Sequence, residues 1–221
     1  MTRVMTRVLI AALLVSFAAR TGEPDAAPAD VAVPRTASPS TGVEQAPRRG
    51  TFAEASAGVL TVMGGSRTFS NAQPYLGVTF GRDVGAAAAI FGSIGFGAAT
   101  NSCFERSAGG DCLGADSFGA TFVEVGGSYD VRIAPRLSWS LKATAGMTLF
   151  SPGPFADAGG GVPDRLIAPH AGGGLALEYA THDHFAVGLE TMMRYSLVSR
   201  ATGARSGIAS LAILPRIRYV F

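Results

Sequence analysis

Charge is scarce in this sequence. Only 15% of the 221 residues are charged, and 18 basic against 16 acidic side chains leave a formal net charge of +2. So small an excess gives no electrostatic footprint for nucleic acid. Long apolar runs are also missing: outside the first twenty residues no stretch of 18 or more occurs, which argues against a helical membrane protein. Cysteine is nearly absent, with two residues, so a disulfide-rich miniature scaffold is excluded. What is abundant is glycine, at 29 residues, alongside a 48% apolar composition. That balance fits a soluble β protein or a membrane barrel, whose signal per strand is weak.

The amino end reads as an export signal. "MTRVMTR" supplies Arg3 and Arg7, "VLIAALLVSFAA" forms the apolar core, and small residues precede a cut near Ala18 or Ala19. We therefore assign residues 1–19 to a cleaved signal peptide and the mature chain to an exported compartment. Residues 20–50 are rich in proline and alanine and sustain neither structural period. Such a segment buries too little apolar surface to offset its ordering entropy, so it is expected as a disordered linker.

From Thr51 onward eight segments with strand character can be counted, at 52–63, 73–82, 86–98, 118–132, 137–149, 166–180, 185–199 and 207–221. Each is long enough for a tilted strand to cross hydrocarbon. In "LSWSLKATAGMTLF", Leu137, Trp139, Leu141, Ala143, Ala145, Met147 and Leu149 alternate with Ser138, Ser140, Lys142, Thr144, Gly146 and Thr148. "FAVGLETMMRYSL" repeats the pattern from Phe185 to Leu197. The first three strands are blurred by alanine and glycine.

Connection lengths decide between the β architectures. "DVG", "IAPR" and "THD" are tight, whereas "GGSRTFSNA", "ATNSCFERSAGGDCLGADS", "SPGPFADAGGGVPDR" and "RATGARS" are longer. Short periplasmic turns alternating with long external loops are a habit of outer-membrane barrels. The expectation is an all-β, eight-stranded antiparallel up-and-down transmembrane β-barrel over residues 51–221, preceded by the signal peptide and linker.

The last segment, "SLAILPRIRYVF", alternates apolar Leu211, Ile213, Pro215, Ile217, Tyr219 and Phe221 with a set carrying Arg216 and Arg218. It resembles the carboxy-terminal signature of bacterial outer-membrane β-barrels. The resemblance implies that Tyr219 and Phe221 serve as a signal to the outer-membrane assembly machinery. Pro215 cannot donate to a ladder, so a bulge or missing hydrogen bond is expected there.

On the inward face the polar sets collect Glu54, Glu124, Glu178 and Glu190 against Lys142, Arg194, Arg216 and Arg218. An eight-stranded interior is just wide enough to be filled by side chains, so this balance predicts a salt-bridged plug, with Glu190 nearly opposite Arg216. Inward Gly126, Gly146, Gly172, Gly174 and Gly188 would make room for the long side chains. Cys103 and Cys112 share the longest external loop, and in an oxidising compartment they are expected to pair.

Catalysis would need a base beside a nucleophile, held by an orienting acid. His170, facing inward with Ser196 across from it, is the best such candidate, and a barrel hydrolase acting on lipid A is the reading that it would support. His182 and His184 flank Asp183 in a tight turn, where capping of the hairpin is the simpler role. The expectation is a chain that is not an enzyme and has neither cofactor nor metal.

Taken together, "GRDVG", "NSCFERSAGGDC", "SPGPFAD", "EYATHDHFAVGLE" and "ILPRIRYVF" resemble the adventurous gliding motility outer-membrane β-barrel family of gliding soil bacteria. The likeness covers residues 51–221. It implies a structural or anchoring component of a gliding motility apparatus, working among outer-membrane lipid and motility-complex or envelope proteins, without cofactor or known reaction. A general small barrel for envelope stability or surface ligand binding is the alternative.

Overall fold

The computed structural model describes residues 49–64, 68–157, 160–199 and 205–221. The expected signal peptide, and all of the expected linker except Arg49 and Gly50, lie outside the described residues.

Eight long strands carry the architecture: β1 (Thr51–Gly64), β2 (Gln73–Val84), β3 (Ala88–Ala99), β4 (Phe118–Ala134), β5 (Leu137–Ser151), β6 (Leu166–His182), β7 (Phe185–Ser199) and β8 (Arg205–Val220). Each pairs antiparallel with its neighbours in sequence, and β8 pairs with β1, so the sheet closes into an up-and-down barrel. Closure leaves no long edge strand to be hydrogen-bonded elsewhere. A two-residue ribbon, Thr68–Phe69, folds back on the external end of β1.

Period two governs burial throughout. On β5, Trp139, Leu141 and Met147 are exposed while Ser140, Lys142 and Thr148 are buried. On β8, Leu211, Ile213 and Ile217 face out while Ala212, Leu214 and Arg216 face in. This is an inside-out distribution for a water-soluble protein, and the one that hydrocarbon around the barrel requires. An aromatic set rims the end where the tight turns lie: Phe80, Tyr129, Tyr179 and Tyr219 are all outward and exposed.

The tight turns are shorter than their sequence suggests. β2 runs on to Val84, β4 to Ala134 and β6 to His182. Gly85 supplies the left-handed residue of the first turn, at φ 71°. The other two hairpins absorb their extra residue as irregularities beside the turn, between Arg132 and Ala134 and between Ala180 and His182.

At Pro215 the expected irregularity takes the form of a gap. β1 and β8 pair at Ser56 with Arg216 and again at Val59 with Ile213, with no pairing at the two positions between. The register is unchanged across the gap, so no bulge forms; proline's missing N–H is the physical reason for an interruption there.

Inside, the barrel is layered. The external half is packed with apolar side chains that include Leu60, Val62, Phe122, Phe150 and Ile208. The long external loops add Phe104 and Phe155 to this cluster, so the loops cap the barrel from above. Phe104 meets Phe118 at 5.8 Å between ring centroids, and Phe118 meets Phe150 at 5.5 Å, both edge to face. A smaller apolar group, Phe52, Ala89, Phe91 and Val220, lies toward the turn end.

Candidate functional site

The two apolar layers leave a polar middle, and there the inward charges meet. All eight expected residues point into the barrel; seven are buried and Glu178 is half-buried. They form two clusters.

The cluster beneath the aromatic layer is built around Glu124 on β4. Its carboxylate accepts from Arg194 Nε at 2.9 Å and Nη2 at 2.7 Å, a two-pronged contact from β7. Ser93 Oγ donates to it at 3.0 Å and His170 Nε2 at 3.1 Å. Arg194 also reaches the Tyr75 hydroxyl at 3.3 Å, and its guanidinium lies 4.8 Å from the centre of the Phe122 ring. Space for it comes from Gly172, where a Cβ would approach Arg194 Cγ to 3.0 Å.

A larger cluster spans β1, β2, β5, β6, β7 and β8. Lys142, the only lysine of the chain, donates to Glu54 at 3.1 Å and Glu190 at 2.5 Å. Arg216 donates to Glu54 at 2.7 Å, Glu178 at 2.8 Å and Glu190 at 3.4 Å. Arg218 donates to Asp83 at 2.6 Å and stacks on Phe52 at 3.8 Å from the ring centre.

The expected Glu190–Arg216 pair forms, but diagonally. Glu190 sits opposite Leu214 and Arg216 opposite Gly188, and the contact is the longest of that arginine's three. Sequence reasoning also missed Asp83, because it ended β2 at residue 82. Tyr75, Ser93 and Thr148 were missed too, as uncharged residues with no pattern of their own beyond inward parity.

His170 and Ser196 are cross-strand partners, as expected, yet Thr148 stands between them. Thr148 Oγ1 lies 2.9 Å from His170 Nδ1 and 3.0 Å from Ser196 Oγ. All three are buried, and Phe122 packs edge to face against the imidazole at 5.9 Å. Among the described residues His170 therefore hydrogen-bonds to no serine, and the Phe122 ring packs against its imidazole. His184 does not cap its own hairpin. Its ring meets the Val220 carbonyl at 2.6 Å and stacks on Tyr219, tying the last turn to β8, while Thr181 Oγ1 donates across the hairpin to Phe185 at 3.0 Å. Among the described residues no group of three or more His, Cys, Asp or Glu is placed to hold a metal.

Cys103 and Cys112 are joined, with Cα atoms 5.8 Å apart. The bridge staples a small hairpin in which Arg106 pairs with Cys112. From its base Phe104 descends into the apolar layer.

Between the two clusters a cavity of about 20 Å³ remains, lined by Glu54, Tyr75, Ser93, Glu124, Lys142 and Arg194 among others. That is room for a single water. The two clusters therefore fill the middle of the cylinder.

No family model matches the chain, and no curated protein matches it. Among solved structures it is similar to the crystal structure of Neisserial surface protein A, with a TM-score of 0.53 and 15% identity over 78% of this chain and 97% of that one. It is also similar to Ail, the attachment invasion locus protein of Yersinia pestis, at a TM-score of 0.42 and 17% identity over 76% and 99%. At such identities the likeness is one of fold. The Neisserial comparison carries it: this is the architecture of a small outer-membrane barrel.

Proposed function

We propose that this chain is a non-enzymatic barrel of the bacterial outer membrane that works as a closed anchor, and that the assembly which it anchors is the gliding motility apparatus implied by the family resemblance. The observation that carries the first half is the filled interior. The cavity between the two salt-bridged clusters holds about 20 Å³, far too little for a solute path through the middle of the barrel. The outward apolar face supports the membrane location. Burial of His170 and Ser196 beneath Phe122 argues against a hydrolase, because a lipid substrate has no approach to them.

In this reading Tyr219, on the outer face of β8, and Phe221, just past its end, are presented to the assembly machinery, and both are exposed. The disulfide-stapled external loops and the turn end are the surfaces left for protein partners. The motility role itself rests on the sequence resemblance.

Crosslinking in intact cells, followed by identification of the attached proteins, tests the anchor. Deletion of the gene scored for single-cell gliding tests the apparatus. Normal gliding in the deletion strain would move the reading to surface ligand binding, which exposed Leu113 and Val162 on the external loops favour. A steady large conductance from purified protein in a planar bilayer would overturn the closed barrel.

A further inference from the structure

The outer wall has one recess that the plug does not explain. It lies over the β1–β8 seam beside the gap at Pro215 and measures about 650 Å³. Ala55, Ala57 and Pro215 make its floor; Leu76 and Phe96 stand on one side and Ile217 on the other. The floor is low because alanine and proline occupy outward positions where the neighbouring strands carry larger side chains. Every outward side chain named here is apolar, and the recess is continuous with the exposed belt of Leu211, Ile213 and Val187.

β2 connects this recess to a cation. Its outward residues in order are Pro74, Leu76, Val78, Phe80, Arg82 and Val84. Val78 pairs with Ala55 at the recess, and Phe80 pairs with Ala53, which pairs in turn with Tyr219 of the aromatic rim. Arg82 pairs with Thr51 one step further out. Four residues along a strand place it about 13 Å from Val78. Aromatic rims mark the headgroup level, so Arg82 stands at phosphate depth on the periplasmic side. It is exposed and makes no ion pair among the described residues.

We propose that the seam recess binds one acyl chain of a phospholipid of the periplasmic leaflet, with Arg82 on its phosphate. The inference rests on the membrane reading above. It assigns a chemistry to each part: hydrocarbon fills an apolar trough that would otherwise leave the wall unpacked, and an anionic phosphate meets an unpaired guanidinium. Lipid held there also covers the stretch of seam where two ladder pairings are missing.

The test uses the full mature chain in vesicles of phosphatidylethanolamine and phosphatidylglycerol doped with a phosphatidylglycerol that carries a photoactivatable acyl chain. After irradiation, labelled residues are mapped by mass spectrometry. Label should concentrate on β1 and β8 around Ala57, several-fold above the outward Ala143 and Ala145 of β5, which are equally small. Ala57→Phe should abolish the enrichment, and Arg82→Gln should reduce it by about fivefold. Both positions face outward, so resistance of the folded band to sodium dodecyl sulfate should be unchanged. Equal labelling of β5 and the seam would overturn the site while leaving the membrane reading intact; no label on any outward residue would overturn both. Chain-to-chain crosslinks through β1 and β8 in place of lipid label would show a second copy in the recess and also defeat the proposal. Indifference to Arg82→Gln would remove the phosphate contact.

Discussion

Arg194 on β7 grips Glu124 on β4 across the barrel, with Nε at 2.9 Å and Nη2 at 2.7 Å from the carboxylate oxygens. Neither strand is the other's neighbour, so the pair fixes the width of the cylinder where the aromatic layer rests on it. Desolvation offsets much of the attraction within such a pair, but removing one partner leaves a buried charge alone. Glu124→Gln or Arg194→Met is therefore expected to cost about 3 to 5 kcal/mol, and the double substitution less than the sum. Urea unfolding in detergent micelles measures this. Additive costs would mean that the two side chains do not depend on each other.

Lys142 offers a probe of the whole interior. It is the only lysine and is held between Glu54 and Glu190 under about 6% exposure. In folded protein an amine-reactive reagent should modify the amino terminus and spare Lys142. Unfolding in hot detergent should expose it. Rapid acylation of Lys142 in the native barrel would contradict the buried cluster.

Tyr75 lies over Gly95, and a methyl group added at that glycine would overlap the phenol ring and its hydroxyl. Tyr75 is one of the partners of Arg194, so the space is tied to the charge cluster. Gly95→Ala is expected to destabilise the barrel by about 1 to 3 kcal/mol. The same change in a Tyr75→Leu background should cost distinctly less. If the two backgrounds respond alike, the overlap is not what makes glycine necessary there.

Removing the external staple should weaken the cap without opening the wall, because Cys103 and Cys112 lie outside all eight strands. Replacing both by serine should cost roughly 2 to 3 kcal/mol in the chain-entropy account. Protease digestion should then cut the loop between residues 103 and 112 while the barrel itself survives. Two free thiols in the native protein, found by mass measurement with and without reductant, would rule the bridge out.

The barrel was legible in the sequence because its two determinants are local. Alternation along Leu137–Leu149 and Phe185–Leu197 states which side chains face out, since side chains on a strand alternate strictly between its faces. The rhythm of tight and long connections states which strands are neighbours. From these followed the strand count, the inward direction of the eight charges from Glu54 to Arg218 and the place of Cys103 and Cys112 on one loop. Which cation meets which carboxylate did not follow. That depends on how the eight strands stagger around the cylinder, and a diagonal reach of a long side chain changes the partner: Arg216 lies closer to Glu54, across the closing seam, and to Glu178, two strands away, than to Glu190 on the adjacent β7. Asp83 joined the cluster only because β2 ran two residues further than its pattern suggested. Phe104 and Phe155, which seal the top, come from loops where no periodicity marks an inward residue. Parity is a property of a few adjacent residues and survives in the sequence; pairing across a closed barrel is set by the stagger of all its strands together, and only the folded chain holds that.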